Sequence, residues 1–260
     1  MEDIDLTDVS WEPINEFYGV LNGNGHSISG WELTLIRDNT DTNKYGLFAT
    51  LYGSVRDLRL ENIKLTLDKY DDTAEAIYVG ALCAEMRDAR ITNVTLNDVD
   101  IWALHYRNEK KEYVNTYVGG LVGFVWGGEI TNSVVSNTGI HIKAGTATGY
   151  GDAEAYAGGI VGVLLHGKLT NTETRDNVFL EGVARGNSST TALRVAIGGQ
   201  VGFQHKGTKI VAIRPSGAPS LRADFDVEDD WVYHSSSFAE TGVISGKTHG
   251  DIIVKQRGVD

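Results

Sequence analysis

Two stretches near the C-terminus contain residues whose types and spacing could support chemistry. The stretch "TGVISGKTHG" (241–250) resembles a nucleotide-binding loop, but three residues separate Gly242 from Gly246 where the phosphate-binding pattern requires four. The following "GDIIVKQ" has the composition of a strand, whereas a bound phosphate needs the N-terminus of a helix. The sequence therefore argues against nucleotide binding.

The second stretch, "DFDVEDD" (224–230), alternates carboxylates in a way that can ligate calcium. Its candidate ligands are Asp224, Asp226 and Glu228. The central glycine and distal glutamate of an EF-hand loop are missing, which favours a solvated acidic turn. No cofactor is expected, and calcium is the one metal that the pattern leaves open.

Histidine and cysteine give no further metal or nucleophile signal. The seven histidines lack the paired spacings that zinc sites use, although His166 and His205 fall on neighbouring repeats of the chain. The single cysteine, Cys83, falls in an apolar column of those repeats. A buried, inert thiol is therefore expected there rather than a reactive one.

Aromatic residues form a more suggestive pattern. Tyr78, Tyr117 and Tyr156 recur at intervals of 39 residues, directly after variable segments of the chain. The predicted ligand-binding residues are the aromatics in or beside those segments: Tyr70, Trp102, Tyr106, Tyr113 and Tyr150. Aromatic rings offer large contact areas to proteins and sugars at low entropic cost. The alternative for the three recurring tyrosines is that they stack on one another and stabilise the fold.

The elements that must position these residues are internal repeats. Segments such as "YVGGLVGFVWGGEITNSVV" (117–135) and "YAGGIVGVLLHGKLTNTET" (156–174) align without gaps. Five anchor positions lie 35 to 40 residues apart: Gly46, Ala81, Gly120, Gly159 and Gly199. Within each repeat the apolar residues alternate with period two and are rich in valine, isoleucine and aromatics. This pattern predicts short strands rather than helices.

Columns of matching residue type run through the repeats. An apolar column predicts an inward ladder at Phe48, Cys83, Val122, Val161 and Val201. Polar columns pass through Asn93, Asn132 and Asn171, and through Asn62, Asp98, Asn137 and Asp176. Asparagine and aspartate tolerate left-handed backbone, and stacked amides can hydrogen-bond to one another. The polar columns are therefore predicted to be corners of a coil.

The predicted fold is all-β: a right-handed parallel β-helix, or solenoid, of five to six coils, with a small β-rich C-terminal cap. Residues 1–213 would form the β-helix, and residues 214–260, after the turn-forming "RPSGAPS", would cap it or dock a partner. Variable inserts are predicted to project from one edge, at residues 68–77, 103–116, 144–155 and 182–195. The glycine-rich "FYGVLNGNGHSISG" (17–30) is predicted to be the opening corner of this coil rather than a phosphate loop.

The same segments carry a family resemblance. "YVGGLVGFVWGGEITNSVV" and "YAGGIVGVLLHGKLTN" resemble the GLUG motif, and "WEPINEFYGVLNGNGHSISGWEL" resembles the segment that precedes such repeats. GLUG-motif repeat proteins include bacterial surface adhesins, the non-catalytic regions of immunoglobulin A proteases and some phage-related proteins. The resemblance implies an extracellular or cell-surface module without a catalytic residue set.

Charge and hydropathy limit the partners. The chain has 23 lysines and arginines against 35 acidic residues, a net charge of −12, which disfavours nucleic acid and anionic membranes. No apolar run is long enough for membrane insertion, and the acidic "MEDIDLTDVSW" is unlike a signal peptide.

The predicted function is non-enzymatic adhesion: a secreted or surface binding module of a bacterium that contacts its ligand through the four inserts. Its partner would be a protein or glycan on a host or neighbouring cell. One alternative is a glycan-active β-helical lyase or hydrolase. Its candidate catalytic carboxylates are Asp57, Glu85 and Asp88, but their spacing is equally typical of solvent-exposed turn residues. The other is a structural component of a phage tail.

Overall fold

The computed structural model describes residues 2–38, 42–70, 75–107, 113–146, 152–186, 192–205, 208–211, 219–227, 238–242 and 245–248. Those ranges contain strands and turns and no helix. It follows that no helix of the described part is long and apolar enough to cross a membrane.

The first turn of the solenoid is built from short strands. They are β1 (Ile4–Asp5), β2 (Ile14–Phe17), β3 (Val20–Asn22), β4 (Ser27–Ser29), β5 (Glu32–Asp38) and β6 (Lys44–Tyr45). Between β3 and β4 the chain turns through Asn24 and Gly25, with φ of 52° and 82°. The backbone N–H of Asn24 donates to Oδ1 of Asn22 at 3.1 Å. The glycine-rich opening stretch is therefore a corner with left-handed backbone.

Four regular turns follow within the described residues. The first two comprise β7 (Phe48–Leu51), β8 (Ser54–Tyr70), β9 (Ala76–Gly80), β10 (Cys83–Met86), β11 (Ala89–Arg107) and β12 (Val114–Gly119). The third comprises β13 (Val122–Val125), β14 (Gly128–Thr131), β15 (Val134–Thr146) and β16 (Ala153–Gly158). The fourth comprises β17 (Val161–Leu164), β18 (Lys168–Thr170), β19 (Glu173–Thr174), β20 (Phe179–Gly186) and β21 (Leu193–Gly198).

The last strands continue the same path. They are β22 (Val201–Gln204), β23 (Lys209–Val211), β24 (Ser220–Val227), β25 (Phe238–Gly242) and β26 (Ser245–Thr248). Strands β24, β25 and β26 pair in parallel with β20, β21 and β22, so they cover strands of the fourth turn and of the start of the last. A separate C-terminal domain boundary at residue 213 stays a prediction.

Parallel pairing organises the strands into three sheets. Sheet A has thirteen strands and contains the long strands β8, β11, β15 and β20. Sheet B has the order β2-β7-β10-β13-β17-β22-β26, and sheet C the order β25-β21-β16-β12-β9-β6. The predicted all-β parallel solenoid is confirmed, but the described residues form about four regular turns where five to six were predicted, because the first and last turns are less regular. Its right-handed winding stays a prediction from the crossover rule.

The apolar core runs along the solenoid axis. Phe48, Cys83, Val122, Val161 and Val201 are paired in register along sheet B, and all five side chains are buried. Fully burying a side chain of this size contributes about 1.5–3 kcal/mol, so each turn adds to the core. Burial also raises the pKa of the Cys83 thiol far above its ordinary value, which keeps it protonated and unreactive.

Close backbone approach favours glycine in most of the anchor column. A Cβ added to Gly120 would lie 2.2 Å from the carbonyl oxygen of Gly159 in the next turn. A larger residue at Gly120 would therefore push these two turns apart, whereas one turn accommodates the buried Ala81 in the same column.

Polar corners lie where sheet A bends. Residues with φ between 46° and 58° occupy these corners: Asp57, Asn62, Asn93, Asp98, Asn132, Asn137, Asn171 and Asn177. Side-chain amides bridge successive turns, as from Asn171 Nδ2 to Asn132 Oδ1 at 2.7 Å and from Asn93 Nδ2 to Asp57 Oδ1 at 2.7 Å. In the fourth turn the left-handed residue is Asn177 and not the Asp176 of the sequence alignment, because the corner there is shifted by one residue.

Candidate functional site

The outer face of sheet A carries a continuous aromatic stack. We call "the sheet A face" the outward side chains of residues 64–70, 100–106, 139–145 and 179–185. Because strand side chains alternate and the turns are in register, outward residues form rows along the axis. One such row consists of Thr66, Trp102, His141 and Glu181.

Trp102 is held in place while one of its ring faces stays open. Its ring stacks on His141, with centroids 3.9 Å apart and an interplanar angle of 11°. On the other side of His141, the Phe179 ring lies at 5.1 Å. The Trp102 face that turns away from His141 points along the row toward Thr66, which is too small to cover an indole. Trp102 accordingly keeps 42% of its surface exposed.

A hydrogen bond fixes the indole orientation. Trp102 Nε1 donates to Oδ2 of Asp100 at 3.1 Å. His141 is in turn positioned by Glu181, whose Oε2 lies 3.4 Å from His141 Nδ1. The aromatic stack is thus pre-organised, which lowers the entropy cost of binding a ligand.

An open groove of about 530 Å³ lies beside the stack. Its lining consists of Glu32, Asn62, Ile63, Lys64, Asp98, Val99, Asp100, Asn137, Thr138, Gly139, Asn177 and Phe179. Gly139 stands between Asp100 and Phe179 in its row, and a Cβ there would approach only Asp100 Oδ1, at 3.2 Å, and His141 Nε2, at 4.0 Å. The missing side chain therefore creates a depression in the sheet A face.

Several polar groups of the groove are available to a ligand. Within the described residues, the exposed side chains of Glu32, Asn62, Lys64 and Asp98 make no hydrogen bond or ion pair. With Asp100, the groove has three carboxylates against one ammonium group. The local charge is therefore negative, like that of the whole chain.

The predicted ligand-binding tyrosines are distributed around this face. Tyr70 and Tyr106 are in register at the ends of β8 and β11, on the same face as Trp102, and Tyr70 is exposed. Tyr113 is also exposed, directly before β12, and its carbonyl accepts a hydrogen bond from Arg107 Nη1 at 3.3 Å. Tyr150 lies outside the described residues. The structure therefore brings Trp102, Tyr70 and Tyr106 to one face, and places Tyr113 near the end of the second predicted insert, directly before β12.

The predicted bounds of the inserts were too wide, because both ends of each predicted insert belong to strands of the solenoid. These strands, a long strand of sheet A and the following strand of sheet C, are in register from turn to turn. The centres of the inserts, residues 71–74, 108–112, 147–151 and 187–191, lie outside the described part of the chain.

The three recurring tyrosines are packed and largely buried. On sheet C, the Tyr117 ring lies 5.7 Å from Tyr78 and 5.6 Å from Tyr156, and Tyr156 stacks on Phe203 at 5.0 Å. The Tyr117 hydroxyl donates to Glu154 Oε2 at 2.8 Å. Burial raises the pKa of Tyr117 and of Tyr156 well above the ordinary tyrosine value. This arrangement matches the stacking interpretation, in which the tyrosines stabilise the fold.

The carboxylates considered for catalysis have separate structural roles. Glu85 is buried on sheet B, where it pairs with Lys44 and accepts a hydrogen bond from Arg87 Nε at 2.7 Å. Asp57 belongs to an asparagine corner, and Asp88 occupies a left-handed turn with φ of 47°. The three carboxylates thus lie in different structural elements: Glu85 in sheet B, Asp57 in a corner and Asp88 in a turn.

The remaining sequence candidates for a metal or nucleotide site lie partly outside the described residues. Among the described residues, no three His, Cys, Asp or Glu side chains are grouped to hold a metal ion. Asp224 and Asp226 lie on β24, and Glu228 is outside the described residues. In the stretch 241–250, which resembles a nucleotide-binding loop, Lys247 is part of strand β26 and pairs with Phe203.

The imidazole rings of His166 and His205 lie 5.8 Å apart on neighbouring turns.

Sequence reasoning missed most partners of Trp102. Trp102, His141 and Glu181 are separated by 39 and 40 residues, one turn each, but they differ in type. An alignment that searches for matching residues therefore passes over them. These residues could have been found from their spacing of about one turn, by listing the residues that occupy the same outward position in successive repeats. A second surface aromatic pair, Tyr18 and Tyr52, with ring centroids 4.6 Å apart, was missed in the same way.

Comparisons with known proteins give a family motif and a similar fold. Residues 114–138 match the family model described as the GLUG motif, so the resemblance drawn from the sequence is confirmed for that repeat. A solved structure from Bacteroides ovatus, assigned provisionally as an immunoglobulin A1 protease, is similar over 95% of this chain and 75% of that chain. The two share 14% identity, with a TM-score of 0.49. The comparison with curated proteins finds no match. The chain is thus a parallel β-solenoid that carries a GLUG motif.

Proposed function

We propose that the chain is a non-enzymatic adhesion or binding module of a secreted or surface bacterial protein. Its contact surface is the sheet A face, together with the inserts that border it. The observation that carries this proposal is the exposed, pre-organised stack of Trp102, His141 and Phe179 beside a polar groove.

The scaffold supports this function because it is rigid. The long strands β8, β11, β15 and β20 pair continuously, so the sheet A face is fixed by backbone hydrogen bonds over several turns. Contact residues on a regular sheet are positioned more accurately than residues on loops. A binding surface of this kind does not need to close around its ligand.

The exposure of the aromatic stack also favours binding. Trp102 contributes little to the core, since its neighbours on the strand, Ile101 and Ala103, point inward and are fully buried. A tryptophan oriented by its own hydrogen bond, with one ring face uncovered, is suited to contact a partner. The structural roles of Asp57, Glu85 and Asp88 favour binding over the glycan-cleaving alternative.

Blocking the sheet A face tests the proposal. The variant Lys64→Cys places one exposed thiol in the groove, and a maleimide–polyethylene glycol label on it would cover the face. The native Cys83 is buried and stays unlabelled. Arg90→Cys is the matched control, because Arg90 is exposed on sheet A but is separated from the face by the corners at Asn93 and Asp98.

Binding is measured on fixed host cells and on arrays of glycans and extracellular proteins. We expect the label at position 64 to weaken binding at least about tenfold beyond the effect of the unlabelled Lys64→Cys substitution, while the labelled Arg90→Cys protein binds like the wild type. Equal loss from both labels, or no loss from either, would show that the ligand binds elsewhere. Cleavage of a glycan or protein on the array would show that the chain is an enzyme.

A further inference from the structure

We propose that the groove beside Trp102 binds an uncharged pyranose unit of a neutral glycan, with the open face of Trp102 as the stacking platform. This inference rests on the proposed function, and it names the ligand class of the same face.

The first support is the geometry of the tryptophan. A sugar stacks its apolar C–H face on an aromatic ring, which must be flat, exposed and fixed in orientation. Trp102 meets these conditions, because His141 supports one ring face and Asp100 holds the indole N–H. The opposite face overlooks Thr66, whose small side chain leaves room above the sheet.

The second support is the set of polar groups that line the groove, which begins at Asp100, two residues before Trp102 on β11. Sugar hydroxyls are donors and acceptors at once, so they suit a site that offers both. Carboxylates of Glu32 and Asp98 accept hydrogen bonds, Lys64 donates them, and the Asn62 amide does both. None of these four side chains is committed to a partner in the described part of the protein, so none has an intramolecular bond to give up.

The size of the groove fits a small ligand. Its volume of about 530 Å³ is within the range of roughly 300–1,000 Å³ that is usual for small-molecule sites. A protein partner would instead need about 800 Å² of contact on each side, with few charges at its centre. The groove is an open depression with charged groups in its lining, and these charges favour a glycan over a protein.

The charge of the groove selects among glycans. Glu32, Asp98 and Asp100 face a single Lys64, and the whole chain has a net charge of −12. Sialic acids, uronic acids and sulfated sugars would be repelled both at a distance and within the groove. Neutral hexoses and N-acetylhexosamines meet no such penalty.

The experiment compares matched neutral and acidic oligosaccharides against three proteins. The probes are N-acetyllactosamine with its sialylated and sulfated forms, and cellotetraose with tetragalacturonate. The proteins are the wild type, Trp102→Ala and Trp126→Ala. Trp126 is the matched control, because it is 41% exposed against 42% for Trp102 but follows β13, away from the groove. Affinities are measured by titration calorimetry at millimolar probe.

We expect the wild type and Trp126→Ala to bind at least one neutral probe and no acidic one, and Trp102→Ala to bind about tenfold more weakly or not at all. Binding only to acidic probes, or equal affinity of Trp102→Ala and wild type, would overturn the inference. Binding to neither neutral probe would overturn it too. If the label at position 64 still blocks a protein ligand in that case, the proposed function stands and only the glycan class is wrong.

A charge variant tests the selection itself. In the double variant Glu32→Gln, Asp98→Asn the groove keeps its shape and loses two negative charges. We expect the ratio of its affinity for the sialylated or sulfated probe to its affinity for the neutral probe to be at least about tenfold higher than the ratio of the wild type. An unchanged preference would show that charge does not determine the choice of ligand.

Discussion

Two regions of this solenoid place one ring on each turn and use it differently. On sheet C, Tyr117 and Tyr156 are 9% and 5% exposed, and burial raises the pKa of both hydroxyls. On the sheet A face, Trp102 and Phe179 are 42% and 37% exposed. The same period of about one turn therefore produces a packed ladder in one place and an open stack in the other.

The difference lies in what covers each ladder. The tyrosines of sheet C pack in one cluster, separate from the main core, with the sheet B side chains of Phe124, Val163 and Phe203. In the described part of the chain, no second sheet covers the sheet A face. In these two ladders, repetition of one residue type accompanies packing, and repetition of position with changing type accompanies exposure.

The largest expected effect is a difference in folding stability between alanine variants of the two regions. Tyr117→Ala would leave a cavity in a packed aromatic cluster and lower the free energy of unfolding by about 3–5 kcal/mol. Trp102→Ala removes an exposed ring and should cost less than about 1 kcal/mol. Chemical denaturation followed by circular dichroism measures both. Similar losses would mean that the Trp102 stack is as structural as the tyrosines.

Alkaline pH should act through the tyrosine ladder. The pKa values of Tyr117 and Tyr156 are raised in the folded protein, so the neutral phenols contribute stability that is fully present below the unfolded value of about 10. Above that pH the unfolded chain ionises first, and stability falls by up to about 1.4 kcal/mol per pH unit for each tyrosine.

Denaturant midpoints between about pH 9 and pH 11 check this effect. Replacing both residues by phenylalanine should remove most of the additional loss. If the phenolate absorbance of both tyrosines appears before unfolding, the ladder is open to water and the contrast between the two regions fails.

A smaller effect is expected at the corner that borders the groove. Asn137 has a φ of 46°, donates to Asn97 Oδ1 at 2.9 Å and accepts from Asn177 Nδ2 at 3.0 Å. Asn137→Ala should cost about 1–2 kcal/mol because alanine is strained in left-handed backbone, and Asn137→Gly should cost less. Thermal melting compares the two variants. A glycine variant as unstable as the alanine variant would assign the cost to the lost amide bonds rather than to the backbone.

The fold was predictable because its requirements recur in every turn. Stacking imposes the small residues of the anchor column, the apolar ladder through Val122 and Val161 and the corner asparagines, so the sequence repeats them. The register between the strands of successive turns could be predicted from these columns alone. The corner at Asn177 is an exception, since a shift of one residue leaves an aspartate and an asparagine side by side.

The candidate site was only partly predictable because it breaks the repeat. Trp102 was found from its aromatic character beside an insert, but His141, Glu181 and Gly139 look ordinary in the sequence. Their meaning comes from the register that aligns them across turns. The open face of Trp102 depends on Thr66, whose small size matters only once the two are neighbours.

The central claim, that the sheet A face meets the ligand through Trp102, can be tested by nuclear magnetic resonance. The chain has five tryptophans, and each indole N–H gives a separate signal. During titration with the neutral oligosaccharide that binds most tightly, we expect the Trp102 signal to shift most, with the signals of the buried Trp31 and of Trp126 nearly unchanged. A bound ligand that shifts the Trp126 signal and leaves that of Trp102 in place would contradict the account.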